Sequence, residues 1–545
     1  MKKLLYLSFI VLGGLSSACT SMLDVESKTS ITSNYLYSTP DGLSRAVVGL
    51  YVKDRSFATT DAVEYCIQML DYSTDIMVFR GGTAAAFARL DNLTPASSNI
   101  QTIWNQHYQI IGKANEIITA AEGMDMNNPE VKQAWAEAKA FRGRAYFELW
   151  KRFERLYLNL EPTTIDNADN REYKPATQEK LFEVIKKDLD DAIEVLPWVP
   201  DGTDISLNYG RWTKAAIKHV RAQVAMWEED WNTAIEQCED VFECPDYGMM
   251  DRAIDVFTGA DLRCKEVLYA YQMSGNLGGG NTTSSGVVNG HKVSLITTPN
   301  YKKISGLQNC LEYGGYGWGR VYPNTYLFSL YKDKTSGEIK DKRYTELFRH
   351  KYYYNIPDLV PAGKELGDEV EVPNKYTPYL ESLHPSSLKF FDKWTNTENP
   401  DRMSSLKDLI LYRLAETYLM CSEAYFRKEG GNSSKAIEYY NKTYYRNGNT
   451  GNDYFNGPLT EQDLLDEYAR ELHFEGVRWP LLKRWGILYD QVKAHAGDTR
   501  ADDPKLDKDY AQARTNFRPE RDTRWPIPQD ELSLMPGYGQ NDGWF

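Results

Sequence analysis

Two blocks of helical periodicity, at about 100–245 and 405–490, constrain the fold of this chain more than any other feature. In both blocks apolar and small residues recur every three or four positions, which places them on one face of an α-helix. The clearest face consists of Ile103, His107, Ile110, Ile111, Ala114, Ile117 and Ile118. Similar faces run over Ala134–Leu149, Leu181–Leu196, Ile217–Trp227, Leu411–Tyr425, Ala436–Tyr444 and Leu464–Leu472. The pattern predicts a mostly α-helical protein.

The predicted helices come in pairs, with small residues such as Ala138, Ala140 and Ala145 where two faces would cross. Tandem helical hairpins of this kind resemble tetratricopeptide repeats, although no 34-residue self-match is present. Such arrays usually dock other proteins. Thr460 and Asp463 have the spacing of a variant capping box, which predicts the start of another helix.

The stretch from about 246 to 400 has no such periodicity, and its many aromatic residues argue against disorder. Glycines alternate with aromatic residues in Tyr313–Arg320, a composition that suits stacking against sugar rings. We therefore select Tyr313, Tyr316 and Trp318 as stacking candidates, Arg320 as a donor to sugar hydroxyls, and Phe79 and Arg80 from the similar stretch 71–99. The alternative is that Trp318 belongs to the core and the glycines only make turns.

The N-terminus has the pattern of an export signal. Lys2 and Lys3 precede an apolar run, Leu4–Leu15, that is too short to span a bilayer. Ser16-Ser17-Ala18-Cys19 follows, which predicts removal of residues 1–18 and acylation of Cys19. Ordinary cleavage after Ala18 is the alternative, and it is favoured by the position of Leu15, one place further from the cysteine than in the usual lipoprotein signal.

Composition and motifs exclude several other classes of function. The net charge of −14 disfavours nucleic acid and anionic lipid surfaces as partners. With 7 His, none at zinc-helix spacing, no metal site is predicted. Neither a dinucleotide fingerprint nor a nucleophile elbow occurs. The charged residues Arg470, Glu471, Glu475 and Arg478 are predicted to pair with one another on a helix rather than to catalyse a reaction.

The chain has seven cysteines, and the six other than Cys19 form no dense disulfide framework. Cys421 lies in an apolar helical stripe and is predicted to be a buried free thiol. The relation between Cys238 and Cys244 stays open.

An ordered set of motifs covers almost the whole chain. Its members are Leu23-Asp24, Thr39-Pro40, Trp104, Ala114-Asn115, Arg413-Leu-Ala-Glu416, Arg470-Glu471-Leu472, Arg478-Trp479, Arg484-Trp-Gly486, Arg524-Trp-Pro-Ile-Pro528 and Gln540-Asn541. This set resembles the SusD-like (RagB/SusD) family of surface glycan-binding lipoproteins. The chain departs from the family pattern at Pro480-Leu481 and at Met535-Pro536, both in scaffold motifs.

The resemblance implies a single domain over 35–545, following a lipidated tether at 19–34. In that domain eight helices would form four tetratricopeptide-like hairpins, at about 35–245 and 405–490. A loop-rich, ligand-binding region at 246–400 would pack on them, and 491–545 would form a C-terminal segment.

The resemblance also implies a function and a partner. An acylated protein at the outer-membrane surface would capture oligosaccharide or polysaccharide and pass it to a SusC-like TonB-dependent β-barrel transporter, without cofactor or catalysis. Peptide capture, as in RagB-type members, is the alternative cargo, and an exported glycoside hydrolase is a further alternative. The identity of the glycan is not encoded in these motifs.

Overall fold

The computed structural model describes residues 33–59, 72–79, 85–168, 173–200, 209–274, 290–371, 380–395, 397, 399–497 and 512–544. The predicted signal peptide, Cys19, most of the tether, Cys66, Arg80 and Gly275–Gly280 lie outside these ranges. No helix in the described part of the chain is both long enough and apolar enough to cross a bilayer.

Eleven longer helices carry the scaffold within the described residues. They are α1 (Pro40–Thr59), α2 (Ser98–Glu122), α3 (Pro129–Phe153), α4 (Gln178–Val195), α5 (Lys214–Trp227), α6 (Trp231–Glu243), α7 (Leu414–Glu429), α8 (Ser434–Tyr444), α9 (Glu461–Leu472), α10 (Arg478–Arg484) and α11 (Leu488–His495). Short α-helices lie at Ser33–Leu36, Ala85–Arg89, Ile165–Ala168, Val293–Thr297, Thr325–Ser329, Arg343–Glu346, Leu380–Leu383, Gln512–Asn516, Pro519–Asp522 and Gln529–Leu534.

The helices α1 to α8 pack in sequence order as four hairpins, which confirms the predicted fold class. The apolar face of α2 is buried as expected, with Ile103, Ile110 and Ile117 each at most 1% exposed. Side-chain caps define several helix starts, because a side-chain oxygen accepts a backbone N–H that has no partner within the helix. Thr213 caps α5, and Thr460 with Asp463 forms the predicted capping box of α9.

The loop-rich region contains short strands and 3₁₀ turns. The strands are β1 (Met77–Phe79), β2 (Val267–Tyr271), β3 (Val321–Pro323), β4 (Phe348–Arg349), β5 (Ser386–Ser387) and β6 (Leu409–Arg413). The 3₁₀ turns are Ala253–Phe257, Tyr301–Lys303, Leu311–Tyr313, Pro357–Leu359, Leu388–Phe390 and Arg446–Gly448. Antiparallel pairs join β1 to β3, β2 to β6 and β4 to β5.

One predicted helix begins later than its sequence pattern suggests. Leu411 belongs to β6, a strand that pairs with β2, and α7 begins only at Leu414. An apolar residue three positions before a helix fits the helical period as well as it fits a strand, so periodicity alone could not place it.

A buried ion-pair network joins the helices to the loop-rich region. Glu471, near the end of α9, is fully buried and accepts hydrogen bonds from Arg343, Arg413 and Arg446 at 2.7, 2.8 and 2.7 Å. Burial alone would raise the pKa of Glu471, but Arg446, Arg413 and Arg343 together hold that pKa well below its usual value. The carboxylate is therefore charged and structural.

The prediction that the charged residues of 470–478 pair with one another is wrong, because each pairs with a residue outside that set. Glu475 pairs with Lys389 and Arg413, Arg470 with Glu467, and Arg478 with Asp75. The reason is that α9 ends at Leu472 and Phe474 adopts a left-handed φ of 63°, so the helical face does not continue. The structural role expected for these charges nevertheless agrees with their ion pairs.

Candidate ligand-binding surface

The segment Tyr313–Arg320 is held rigidly by backbone contacts. The N–H groups of Trp318 and Arg320 donate to the carbonyl oxygens of Leu295 and Ile296 at 2.8 and 2.9 Å. A Cβ on Gly317 would lie 2.3 Å from the carbonyl oxygen of Pro299, so only glycine permits this close approach. The glycines thus set the backbone path, as the alternative interpretation of this segment proposed.

The structure places Tyr313 in the core. Its side chain is 4% exposed, and its ring makes edge-on contacts with Tyr301 and Tyr352 at centroid distances of 5.2 and 5.1 Å. Its hydroxyl donates to the carbonyl of Tyr353 at 2.9 Å, and burial raises its pKa. A ring packed in this way supports the segment but offers no face to a ligand.

Phe79 is also a packing residue. It lies in β1, is 5% exposed and contacts Tyr72 edge-on at 5.0 Å. In the β1–β3 pair it stands opposite Val321, directly after Arg320. The structure therefore brings the two irregular stretches together through their backbones, with the Phe79 side chain turned into the core.

Tyr316 and Trp318 are half-buried and remain stacking candidates. Each ring has a cation over one face: Lys302 Nζ lies 4.1 Å from the Tyr316 centroid, and Arg320 Cζ lies 4.1 Å from the Trp318 centroid. Lys292 Nζ lies 5.7 Å from the same tryptophan. Arg320 thus makes a cation–π contact with Trp318. Its role as a donor to sugar hydroxyls stays a prediction.

Sequence reasoning missed a second aromatic stretch that contacts the first. Phe391 and Trp394 are half-buried, with ring centroids 5.9 Å apart, and a Cβ built on Gly314 would lie 3.0 Å from Phe391. Lys393 Nζ lies 5.7 Å from the Trp394 ring. The signal available in the sequence was the aromatic density of Phe390–Trp394 within the same non-periodic region.

We call this group the aromatic–cation surface. It consists of Tyr316, Trp318, Phe391, Trp394, Lys292, Lys302, Arg320, Arg349 and Lys393. Arg349 links the two stretches, because its guanidinium carbon lies 5.4 Å from the Phe391 ring and 5.1 Å from the Tyr313 ring.

A buried lysine fixes the backbone beneath Phe391 and Trp394. Lys407 is 1% exposed, and its ammonium donates to the carbonyl oxygens of Phe257, Lys389 and Phe391 at 2.6, 3.0 and 2.9 Å. Burial lowers its pKa to about 7.

Asp392 fixes the turn between the two rings. It accepts the N–H groups of Trp394 and Thr395 at 2.9 and 3.0 Å and the hydroxyl of Ser405 at 2.5 Å. Together with Lys407 it holds the aromatic residues on a preorganised backbone.

Two concavities lie elsewhere in the described part of the chain. One, of about 90 Å³, lies inside the helical scaffold among Arg144, Glu148, Lys151 and Glu416. It is far below the roughly 300 Å³ at which small-molecule pockets begin. The other, of about 600 Å³, is lined by charged residues and by Tyr352, which is 2% exposed. Within the described residues, no group of His, Cys, Asp and Glu could hold a metal ion.

Four helical hairpins with a packed loop-rich region that presents aromatic rings define a helical-repeat binding scaffold. The chain belongs to the SusD family, whose model matches residues 265–544. A second model, described as starch-binding associating with outer membrane, matches residues 23–224. The resemblance read from the sequence motifs is thereby confirmed.

Known relatives match over nearly the full length. A SusD-like protein of Formosa agariphila is 22% identical over 553 residues, which cover 96% of this chain and 95% of that protein. Among solved structures, a SusD homologue from Bacteroides thetaiotaomicron has a TM-score of 0.74 at 19% identity, covering 94% of this chain and 99% of its own. Surface glycan-binding protein A from Bacteroides thetaiotaomicron, solved with laminarihexaose, has a TM-score of 0.70 at 20% identity, covering 92% and 99%. These structures share the fold.

Proposed function

We propose that this protein captures glycan at the outer-membrane surface through the aromatic–cation surface. The observation that carries the proposal is a pair of half-buried rings, Tyr316 and Trp318, mounted on a backbone that packing and hydrogen bonds fix in place. Rigid aromatic faces with polar groups beside them suit sugar rings, whose CH faces are apolar and whose edges are polar. The relative solved with laminarihexaose and the description of the starch-binding model support this ligand class.

The proposed activity is binding without catalysis. A glycoside hydrolase needs one carboxylic acid that is protonated at working pH and one carboxylate. The side chain of Glu475 is 8% exposed, and although burial tends to raise its pKa, Arg413 and Lys389 hold that pKa below its usual value. With Glu471 held ionised in the same way, neither residue can act as the acid. Product release from a polysaccharide panel, abolished by one carboxylate substitution, would contradict this proposal.

Affinity electrophoresis in gels containing different polysaccharides tests glycan capture. We expect Trp318→Ala to weaken retention about tenfold, the loss of one aromatic contact. Trp135→Ala is the matched control, because Trp135 is also half-buried with a cation, Lys139, 4.6 Å from its ring, but lies on α3 in the helical scaffold. Equal retention of both variants would remove this surface from the proposal. Retention of a peptide but of no glycan would favour peptide cargo.

The delivery step completes the proposal: acylated Cys19 anchors the protein, residues 20–34 tether it, and a SusC-like TonB-dependent transporter receives the glycan. Cys19→Ala should release a folded protein into the medium and abolish glycan-dependent growth. Purification from detergent-solubilised membranes should recover a large β-barrel with the unaltered chain. Normal uptake with the soluble variant, or recovery without a barrel, would contradict this step.

A further inference from the structure

In the aromatic–cation surface, three aromatic rings each have a cationic side chain close by. Lys302 lies over Tyr316, Arg320 over Trp318 and Lys393 beside Trp394, at 4.1, 4.1 and 5.7 Å from the ring centroids. Because these rings are only half-buried, each keeps part of its surface exposed for a ligand. A sugar stacked there would hold its ring substituents within reach of the positive charge.

The local charge is opposite to that of the whole protein. The chain carries 63 Lys and Arg against 77 Asp and Glu. Cations nevertheless dominate on this surface, where Lys292, Lys302, Arg320, Arg349 and Lys393 all lie within 6 Å of an aromatic ring. Opposing them, the sequence stretches 291–320 and 390–403 carry Glu312, Asp392, Glu398 and Asp401.

Two of these carboxylates have contacts within the protein. Asp401 lies 3.8 Å from Lys302 and accepts a hydrogen bond from Asn309, and its side chain is 68% exposed. Asp392 is 1% exposed and is occupied by its turn and by Ser405. A positive patch on an acidic protein selects ligands by charge, because the rest of the surface repels anions.

We propose that the glycan is anionic, with carboxylate or sulfate groups on its sugar rings, and that Lys302, Arg320 and Lys393 select it. This inference rests on the proposed glycan function and names the substrate class of the same surface. Each ring would stack on a sugar face while its neighbouring cation pairs with the acidic substituent. Cation and anion then form a charge-assisted contact, which is stronger than one between neutral groups.

The test compares the full chain in detergent with matched polysaccharides by titration calorimetry. Polygalacturonate and its methyl-esterified form share one backbone, but esterification removes the charge of the carboxyl group. Carrageenan supplies sulfate in place of carboxylate. We expect polygalacturonate or carrageenan to bind at least about tenfold more tightly than the neutral polymer, with affinity falling as salt rises. The preferred polymer of the two identifies the acidic group.

Lys302→Gln is the main variant, because its side chain is 40% exposed and its removal leaves the packing intact. It should weaken binding of the anionic polymers about tenfold more than it weakens binding of the neutral polymer. Arg320→Gln should act in the same direction. Lys180→Gln, at an exposed lysine on α4, is the control.

The outcomes separate the two proposals. Equal affinity for charged and neutral polymers, with no effect of Lys302→Gln or Arg320→Gln, would overturn the anionic assignment and leave glycan capture standing. The cations would then serve only to stabilise the rings. Failure to bind any of these three polymers and any polysaccharide in the affinity gels would overturn glycan capture itself.

Discussion

Replacing Glu471 with glutamine should destabilise the protein severely. The substitution keeps the shape of the side chain but removes the charge that faces Arg343, Arg413 and Arg446. Each arginine keeps another carboxylate: Glu467 for Arg343, Glu475 for Arg413 and Glu266 for Arg446. The remaining carboxylates therefore still compensate part of the positive charge. We expect the free energy of unfolding to fall by about 3–5 kcal/mol, the usual cost of breaking a buried pair.

Urea unfolding at pH 7, followed by tryptophan fluorescence and far-UV circular dichroism, measures the effect. Because the folded-state pKa of Glu471 lies below its ordinary value of 4.5, its contribution is complete above about pH 4.5 and is lost as pH falls further. The difference between wild type and variant should thus be constant from pH 7 to pH 5 and shrink in acid. Asp41→Asn, which breaks an exposed pair with Arg45, is the control and should leave the free energy of unfolding almost unchanged. A Glu471→Gln variant within 1 kcal/mol of wild type would refute this account.

Three further predictions follow from single residues. Burial lowers the pKa of Lys407 from 10.5 to about 7 in the folded state, so the unfolded chain binds more protons between pH 7 and 10. The free energy of unfolding of wild type, relative to that of Lys407→Met, should therefore rise by up to about 1.4 kcal/mol per pH unit over this range. Urea midpoints that change in parallel for the two proteins would contradict this prediction. Trp394→Ala should reduce glycan retention in affinity gels while Trp135→Ala does not, and equal retention would exclude the 390–395 turn from the site. Cys421 is a fully buried free thiol, and burial raises its pKa. A thiol reagent should therefore modify it only after denaturation. Rapid labelling of Cys421 in the native protein, located by peptide mapping, would contradict this burial.

Local sequence patterns predicted the scaffold well, for a simple reason. The stripe from Ile103 to Ile118 and the capping box at Thr460 depend on residues within a few turns of one another, so helix type and helix start can be read directly. The buried thiol of Cys421 followed from the same periodicity. Where a strand preceded a helix, as at Leu411, the pattern could not locate the boundary.

The candidate site was only partly predictable. Composition selected the segment Tyr313–Arg320 as a candidate, but could not tell that Tyr313 lies in the core while Tyr316 and Trp318 are half-buried. That difference depends on Tyr301 and Tyr352, which contact Tyr313 from other segments. Trp394 was missed because its contact with the first stretch, through Phe391, spans more than 70 positions of the chain.

The sequence by itself determined the helical hairpins, the non-periodic region between them and membership in the SusD family. These depend on spacing and on ordered motifs, which are properties of the linear chain. Only the tertiary structure decided which arginines surround Glu471, which aromatic rings stay half-buried and which cations lie over them. Those are contacts between distant segments, and burial at each of them is set by the whole packed molecule rather than by neighbours in sequence.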